Sequence, residues 1–180
     1  MQPDITELVG RIAETASPVL RVHGFGGRPW LRDVSRPGDT RRGPWLQARY
    51  DVVDQALFKR RGACLYLVLG NDGRVRYVGR SIVSFATRWA ARPALDAETG
   101  QVLPNKELFH SQCWRHMQAE CARTPGVWFE VRAITSPELT KVLAAVGGQL
   151  GSLALAPNVV VAVEDRLLAH RAILALWNAR

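Results

Sequence analysis

The sequence predicts an α+β domain in which helices flank a small antiparallel sheet of about three strands. An apolar run over residues 63–69 and an alternating run over 74–79 are separated by the turn Gly-Asn-Asp-Gly, which is typical of a β-hairpin. A third apolar run, over 127–133, follows a Pro-Gly pair that breaks the preceding element. Apolar residues at helical spacing surround these strands, so helices are expected to pack on the sheet.

The N-terminal segment, residues 1–61, precedes the hairpin and differs from it in composition. Residues 3–16 are predicted to form a helix, with Asp4 as its N-cap. The tract 23–44 combines Gly, Pro and Arg with interleaved aromatic residues, which predicts a Gly/Arg-rich arm without long regular elements. Residues 46–60 are predicted to form a helix that leads into the core.

The remaining residues, 62–180, are predicted to form the core, with an insertion around 93–125. The predicted helices cover residues 82–92, about 105–122, 137–146 and 158 to about 174. Together with the three strands they give one domain, which suits the length of the chain.

Charge is distributed unevenly along the chain. Of its 180 residues, 24 are Lys or Arg and 16 are Asp or Glu, which gives a formal net charge of +8. The first 92 residues carry 15 Arg and one Lys against eight acidic residues, whereas the remainder has eight of each sign. An excess confined to one half favours a polyanionic partner that is bound by one surface, and it argues against a halophilic protein.

The cysteine count and the amino terminus predict the compartment. Three cysteines are too few, and odd in number, for a disulfide framework. No apolar run approaches the roughly 18 residues that span a bilayer, and the amino terminus lacks the basic-then-apolar order of a secretory signal. We therefore expect a cytoplasmic protein that does not enter membranes.

Two tyrosines are predicted to share one face of the hairpin. The turn can centre on residues 71–72 or on 72–73, and the second register pairs Tyr66 with Gly79. Because strand faces alternate with period two, both registers place Tyr66 and Tyr77 on the same face. Such a pair serves sheet packing in many proteins, but beside open space at Gly79 the two phenols could also form the floor of a site.

The spacing of these residues resembles that of the GIY-YIG endonuclease family. Cys64-Leu65-Tyr66 corresponds to the first triplet of the family motif, and Tyr77-Val78-Gly79 corresponds to the second. An arginine on the following helix, a glutamate on a late helix and an asparagine near the end complete the family's order of elements. These three residues are Arg88, Glu164 and Asn178. The resemblance covers residues 62–178, about two thirds of the chain.

The resemblance implies hydrolysis of phosphodiester bonds in DNA, assisted by one divalent metal. Glu164 would be the sole protein ligand of Mg²⁺, with Mn²⁺ as an alternative ion, and the metal would stabilise the leaving oxygen. Tyr66 would accept a proton from the attacking water, and Tyr77 would orient the phosphate or the water. Arg88 would clamp the scissile phosphate, and Asn178 would fix the site from the end of the chain.

Further arginines are predicted to extend the phosphate-binding surface. In the arm, aromatic residues could stack on bases or pack on the core. The arginines are Arg74, Arg76 and Arg80 in the hairpin region, Arg92 after the helix arginine, and Arg28, Arg41 and Arg42 in the arm. Arg92 stands where many family members have His or Tyr, so this proton-transfer role would be absent or would fall to His116 or His110.

A restriction-type endonuclease that acts as a homodimer on DNA is the preferred interpretation, since two single-metal sites are needed for a double-strand break. A repair or structure-specific nuclease, or an antibacterial nuclease toxin, would have the same core. A non-catalytic nucleic-acid-binding module on this fold is the alternative from another class. One further pattern resembles a zinc site. It consists of His110, Cys113, His116 and Cys121, although a continuous helix would place the two histidines on different faces.

Overall fold

A computed structural model describes residues 4–26, 45–89, 94–96 and 113–178. Within these ranges, five long antiparallel strands and one three-residue strand form one open sheet, which is flanked by helices. The predicted α+β class is confirmed. The prediction of about three strands was wrong, because two strands from the N-terminal segment join the three that were predicted.

The edges of the sheet are β4 and β5. The strands are β1 (Ser17–Gly26), β2 (Trp45–Val52), β3 (Cys64–Gly70), β4 (Val75–Ser81), β5 (Ala94–Asp96) and β6 (Phe129–Thr135). The helices are α1 (Ile5–Thr15), α2 (Gln55–Lys59), α3 (Phe85–Trp89), α4 (Cys113–Arg123), α5 (Ser136–Val146), α6 (Gly148–Gly151) and α7 (Val159–Ala169), with a 3₁₀ turn at Ser152–Leu155. The strand order is β4-β3-β6-β1-β2-β5. None of these described helices is both long enough and apolar enough to cross a membrane.

The strand β3 lies inside the sheet, and its side chains alternate between two cores. Leu65 and Leu67 pack with α1, α5 and α7 on one face, whereas Tyr66 and Val68 pack with α2, α3 and α4 on the other. All seven residues of the strand are buried. Burial on both faces explains the nearly continuous apolar run, since such a strand has no position that faces solvent.

The β3–β4 hairpin adopts the second of the two predicted registers. Its opposed pairs are Cys64 and Ser81, Tyr66 and Gly79, Val68 and Tyr77, and Leu69 and Val75. The ladder shifts between the last two pairs, so Arg76 is the extra residue of a β-bulge. The turn closes at Gly73, whose φ of 77° favours glycine. Tyr66 and Tyr77 share one face, as predicted.

The segment 46–60, predicted as one helix, is a strand followed by a short helix. Ala48 and Tyr50 are buried and Arg49 between them is exposed, which is the period of a strand. The helix α2 begins only after Asp54, whose carboxylate accepts a hydrogen bond from the Leu57 N–H at 2.8 Å. The helix prediction was wrong because the apolar residues of this segment fit both periods.

The predicted arm begins inside β1. This strand runs to Gly26, and it joins the sheet between β6 and β2 with an irregular register after Pro18 and after Val22. The prediction of an irregular tract from residue 23 was therefore wrong for residues 23–26. The rest of the arm, 27–44, lies outside the described residues.

The other helices agree with the predictions in position but differ in extent. The helices α1 and α5 match the predicted segments. The helix α3 has five residues and is shorter than the predicted 82–92, of which 90–92 lie outside the described residues. The described part of the 105–122 helix is α4. The last helix, α7, ends at Ala169, about five residues before the predicted end.

Candidate active site

The two tyrosines of the hairpin stack on one another. Their ring centroids are 6.3 Å apart and their planes differ by 18°. Tyr66 is 2% exposed, while Tyr77, on the edge strand, is partly buried. The pair therefore lies beneath the helices on the second face of the sheet, with Tyr77 as the more accessible phenol.

Gly79 is required by the position of the Tyr66 ring. A Cβ atom added at Gly79 would collide with the ζ carbon and the hydroxyl oxygen of Tyr66. The expectation of open space beside the tyrosines was wrong, because the phenol of Tyr66 fills it. The consequence is that the Tyr66 hydroxyl lies directly over the backbone of the edge strand.

The helix α3 is anchored on the same phenol. Phe85 and Trp89 both contact the Tyr66 ring edge-on, at centroid distances of 6.1 and 5.5 Å, and both are buried. Arg88, between them on the helix, is partly exposed. Aromatic packing thus fixes the helix that carries the predicted phosphate-binding arginine.

The segment after α7 returns to the free edge of β4. Backbone turns over residues 170–175 reverse the chain, and the Trp177 N–H then donates to the Arg76 carbonyl at 2.7 Å. The Asn178 Oδ1 accepts from the Val78 N–H at 3.1 Å, and its Nδ2 donates to the Val78 carbonyl at 2.7 Å. We call residues 176–178 the return segment. Because the helix ends early and the chain turns back, Asn178 reaches the hairpin.

Glu164 approaches the same strand edge from α7. Its Oε2 forms an ion pair with Nη1 of Arg80 at 2.7 Å. Its side chain is 12% exposed. Burial raises the pKa of this carboxyl and Asp165 adds to the increase, while the positive charges of Arg80 and Arg88 oppose it.

Three side chains therefore converge on successive residues of β4. Asn178 binds the backbone of Val78, the Tyr66 hydroxyl lies over Gly79, and Glu164 pairs with the Arg80 side chain. Arg88 is close enough for its charge to act on Glu164. The structure thus brings together the five predicted residues around one stretch of an edge strand, with Tyr77 stacked on Tyr66.

Among the five candidate site residues, Glu164 is the one whose carboxylate suits a divalent cation. A carboxylate is the hard oxygen donor that Mg²⁺ prefers, and Mg²⁺ commonly keeps several waters. The fit is partial, because the Arg80 guanidinium already binds one oxygen of this carboxylate. Among the described residues, no group of three or more His, Cys, Asp or Glu side chains is arranged to hold a metal ion.

The predicted DNA-binding arginines Arg74 and Arg76 of the hairpin differ in their exposure and in how closely carboxylates hold them. Arg74 is 80% exposed. Arg76 is held by two carboxylates, with Nη2 at 2.8 Å from Asp72 and at 3.4 Å from Glu120. Four further predicted positions lie outside the described residues. These are Arg28, Arg41, Arg42 and Arg92.

His116, one of the two histidines considered for proton transfer, stacks on Trp177 of the return segment. The ring centroids are 5.4 Å apart and the planes differ by 17°. His110 lies outside the described residues. Of the cysteines in the zinc-like pattern, Cys113 is buried, and burial together with the charge of Glu120 raises the pKa of Cys121 to about 11.

The ion pair between Arg80 and Glu164 was not predicted from the sequence. Its partners lie on a strand and on a distant helix, and no local spacing relates them. The only feature of the sequence that could have indicated it is that Arg80 directly follows the second triplet of the family motif. The role of Trp177, which joins the return segment to the Arg76 carbonyl, was missed for the same reason.

Comparisons of the chain with protein-family models, with curated proteins and with solved structures found no match. The GIY-YIG relationship is therefore a resemblance in the order and spacing of a few residues. What those residues could do chemically depends on the arrangement around β4.

Proposed function

We propose that this protein is a metal-dependent endonuclease that hydrolyses phosphodiester bonds in DNA at the edge of β4. The observation that carries the proposal is the convergence of the Tyr66 hydroxyl, the Glu164 carboxylate and the Asn178 amide on residues 78–80. Residues from a hairpin, a late helix and a return segment meet there, in the order that the family resemblance implies.

Each of the candidate residues has one role in this proposal. Glu164 holds the divalent ion, Mg²⁺ or Mn²⁺, which as a Lewis acid supplies charge stabilisation at the phosphate. Arg88 binds a phosphate oxygen through its planar guanidinium. Tyr66 accepts the proton of the attacking water, and its hydroxyl reaches the strand edge because Gly79 has no side chain. Tyr77 orders the Tyr66 ring by stacking and orients the phosphate or the water.

Arg80 has two states in this proposal. In the structure it neutralises Glu164, from which it is separated by 2.7 Å. An incoming phosphate offers this guanidinium a second anionic partner, and transfer of Arg80 to the phosphate frees the carboxylate oxygen. Arg80 can make this exchange because a guanidinium forms charge-assisted hydrogen bonds with both carboxylates and phosphates, and the freed oxygen of Glu164 would then be available to hold a divalent ion.

A restriction-type enzyme that pairs two copies on DNA remains the preferred form of this function, with a repair nuclease or a nuclease toxin as alternatives on the same core. A non-catalytic nucleic-acid-binding module is the second candidate. Two observations favour it: the Tyr66 side chain is 2% exposed, and an arginine binds Glu164. A base must reach its proton, and a metal ligand must have a free oxygen.

Cleavage of supercoiled plasmid by the wild type and by matched variants tests the proposal. We expect cutting with Mg²⁺ or Mn²⁺, none with EDTA, and rates lower by about 10²-fold or more for Tyr66→Phe and Glu164→Gln. Two controls should cut normally: Tyr50→Phe removes another buried hydroxyl, which donates to the Trp89 carbonyl at 2.6 Å, and Glu14→Gln removes an exposed acid of α1. Equal cutting by all variants would exclude the mechanism, and DNA binding without cutting would favour the module.

A further inference from the structure

We propose that the basic loop formed by Lys59, Arg60 and Arg61 binds the phosphate backbone of the nucleic acid on one side of the active site. The inference rests on the proposed function, because it identifies the surface that holds the substrate beyond the scissile phosphate. All three side chains are exposed. They follow one another directly at the end of α2, so three positive charges are presented together.

The backbone of the basic loop is fixed to the segment that precedes α3. Arg61 forms an antiparallel bridge with Ser84, and the Gly62 N–H donates to the Val83 carbonyl at 2.8 Å. Gly62 has a φ of 117°, which favours glycine. Because α3 begins at the next residue after Ser84 and carries Arg88, the basic loop and the predicted phosphate clamp belong to one rigid unit.

The positive charge of the basic loop is not cancelled locally. No acidic residue in the described part of the chain forms an ion pair with Lys59, Arg60 or Arg61. Glu138 is near enough for Arg60 to lower the pKa of its carboxyl. Its Oε2, however, accepts hydrogen bonds from the N–H and the hydroxyl of Thr135, at 2.9 and 2.6 Å. The loop therefore retains an excess of positive charge that an external anion can neutralise.

Exposed apolar side chains beside the loop favour a nucleic acid over a small anion. Ile82 and Val83 are 48% and 64% exposed, and Val83 is bonded to the loop through its carbonyl. A sugar-phosphate chain presents repeated negative charges together with apolar sugar faces, so it can use both features. An anionic membrane is the other polyanion with this chemistry. A nucleic acid is favoured because the loop is bonded to the segment that leads into α3, the helix that carries Arg88.

The salt dependence of DNA binding tests the inference. The full chain is titrated into a labelled 20-bp duplex and a labelled 20-nucleotide single strand, in EDTA, at several salt concentrations. The triple variant Lys59→Gln/Arg60→Gln/Arg61→Gln is compared with Arg11→Gln/Arg123→Gln/Arg166→Gln, which removes the same charge from α1, α4 and α7. We expect the slope of log affinity against log salt to fall by about 2 to 3 for the loop variant, and by less than about 1 for the control.

Binding of the same proteins to anionic phospholipid vesicles is measured in parallel. Three results would overturn the inference: equal slopes for the two triple variants, no DNA binding by the wild type, or a loop variant that loses vesicle binding but binds DNA as the wild type does. Cleavage is measured separately, at saturating DNA and low salt with Mg²⁺. If the wild type cuts and the slopes are equal, the loop inference fails alone. If the slopes differ but the wild type never cuts, only the catalytic proposal fails.

Discussion

Asn178 closes the free edge of β4 with both ends of its side-chain amide, one accepting from the Val78 N–H at 3.1 Å and the other donating to the Val78 carbonyl at 2.7 Å. An amide is the neutral side-chain group that reproduces the donor and acceptor of a neighbouring strand. The return segment thereby occupies the edge of β4 in place of a further strand.

Replacing Asn178 by Asp keeps the shape of the side chain but removes its donor. The carboxylate would face the Val78 carbonyl, and we expect a loss of about 1–3 kcal/mol in the free energy of unfolding together with faster hydrogen exchange at the Val78 amide. Chemical denaturation and amide exchange measure both effects. Asn158→Asp is the control, since this N-cap only accepts a hydrogen bond, from the Val161 N–H at 3.3 Å. Similar losses in the two variants would contradict the paired role of Asn178.

Gly79→Ala should destabilise the protein through a collision with Tyr66. The added Cβ meets the ζ carbon and the hydroxyl oxygen of the phenol, and we expect a cost of about 1–3 kcal/mol. In a Tyr66→Ala background the same change should cost much less, so a double-mutant cycle by urea unfolding measures the coupling. Gly10→Ala is the control, because nothing lies within 4 Å of its added Cβ in the middle of α1. That variant should be stabilised by up to about 1 kcal/mol, and additive costs in the cycle would refute the proposed contact.

The substitution Glu164→Gln should raise the free energy of unfolding, relative to the wild type, more at alkaline pH than at acidic pH. Burial raises the pKa of Glu164 in the folded protein, so the folded state binds this proton more tightly than the unfolded chain does. The proton on Glu164 therefore stabilises the folded wild type. This stabilisation is complete below the ordinary glutamate pKa of about 4.3, and it is lost as the pH rises through the pKa of Glu164 in the folded protein. Urea unfolding at about pH 4 and about pH 8 measures it. Glu14→Gln, at an exposed position, removes the same charge without the burial, and a pH-independent effect of Glu164→Gln would disprove the prediction.

Arg80→Gln should increase the affinity of the protein for Mn²⁺ in the absence of DNA. The guanidinium binds the carboxylate oxygen that the ion needs, so its removal takes away a competitor. We expect the dissociation constant to fall about two- to tenfold at about pH 8. Calorimetric titration measures this independently of cleavage. Arg74→Gln, an exposed position on the same hairpin, is the control, and weaker Mn²⁺ binding by Arg80→Gln would refute the two-state role.

The parts of the fold that were predicted correctly are those specified by neighbouring residues. The β3–β4 hairpin has its turn sequence between two apolar runs. The helix α5 begins at Ser136, directly before Pro137, and ends at Val146, directly before Gly147, whose φ is 70°. The period-two rule was sufficient to place Tyr66 and Tyr77 on one face. In each case the information lies within a few residues of the element that it determines.

The parts that were missed depend on residues far apart in the chain. The strand β1 contains Pro18, Gly24 and Gly26, which favour a loop locally, and it is stabilised by pairing with β6 and β2. The contact of Arg80 with Glu164 similarly requires α7 to pack against β4. A sequence pattern gives the face of each element but not which elements meet, so the partners of the candidate site residues were not predicted.

The bonds at Arg76, Val78 and Arg80 have a consequence for self-association. An edge strand with free N–H and carbonyl groups can template the addition of a strand from another molecule, which leads to aggregation. Here the Trp177 N–H and the Asn178 amide already occupy backbone groups on the outer side of β4, and the Glu164 carboxylate pairs with the side chain of Arg80 on the same strand. The interactions that build the proposed active site therefore also protect this border of the sheet from intermolecular β-pairing.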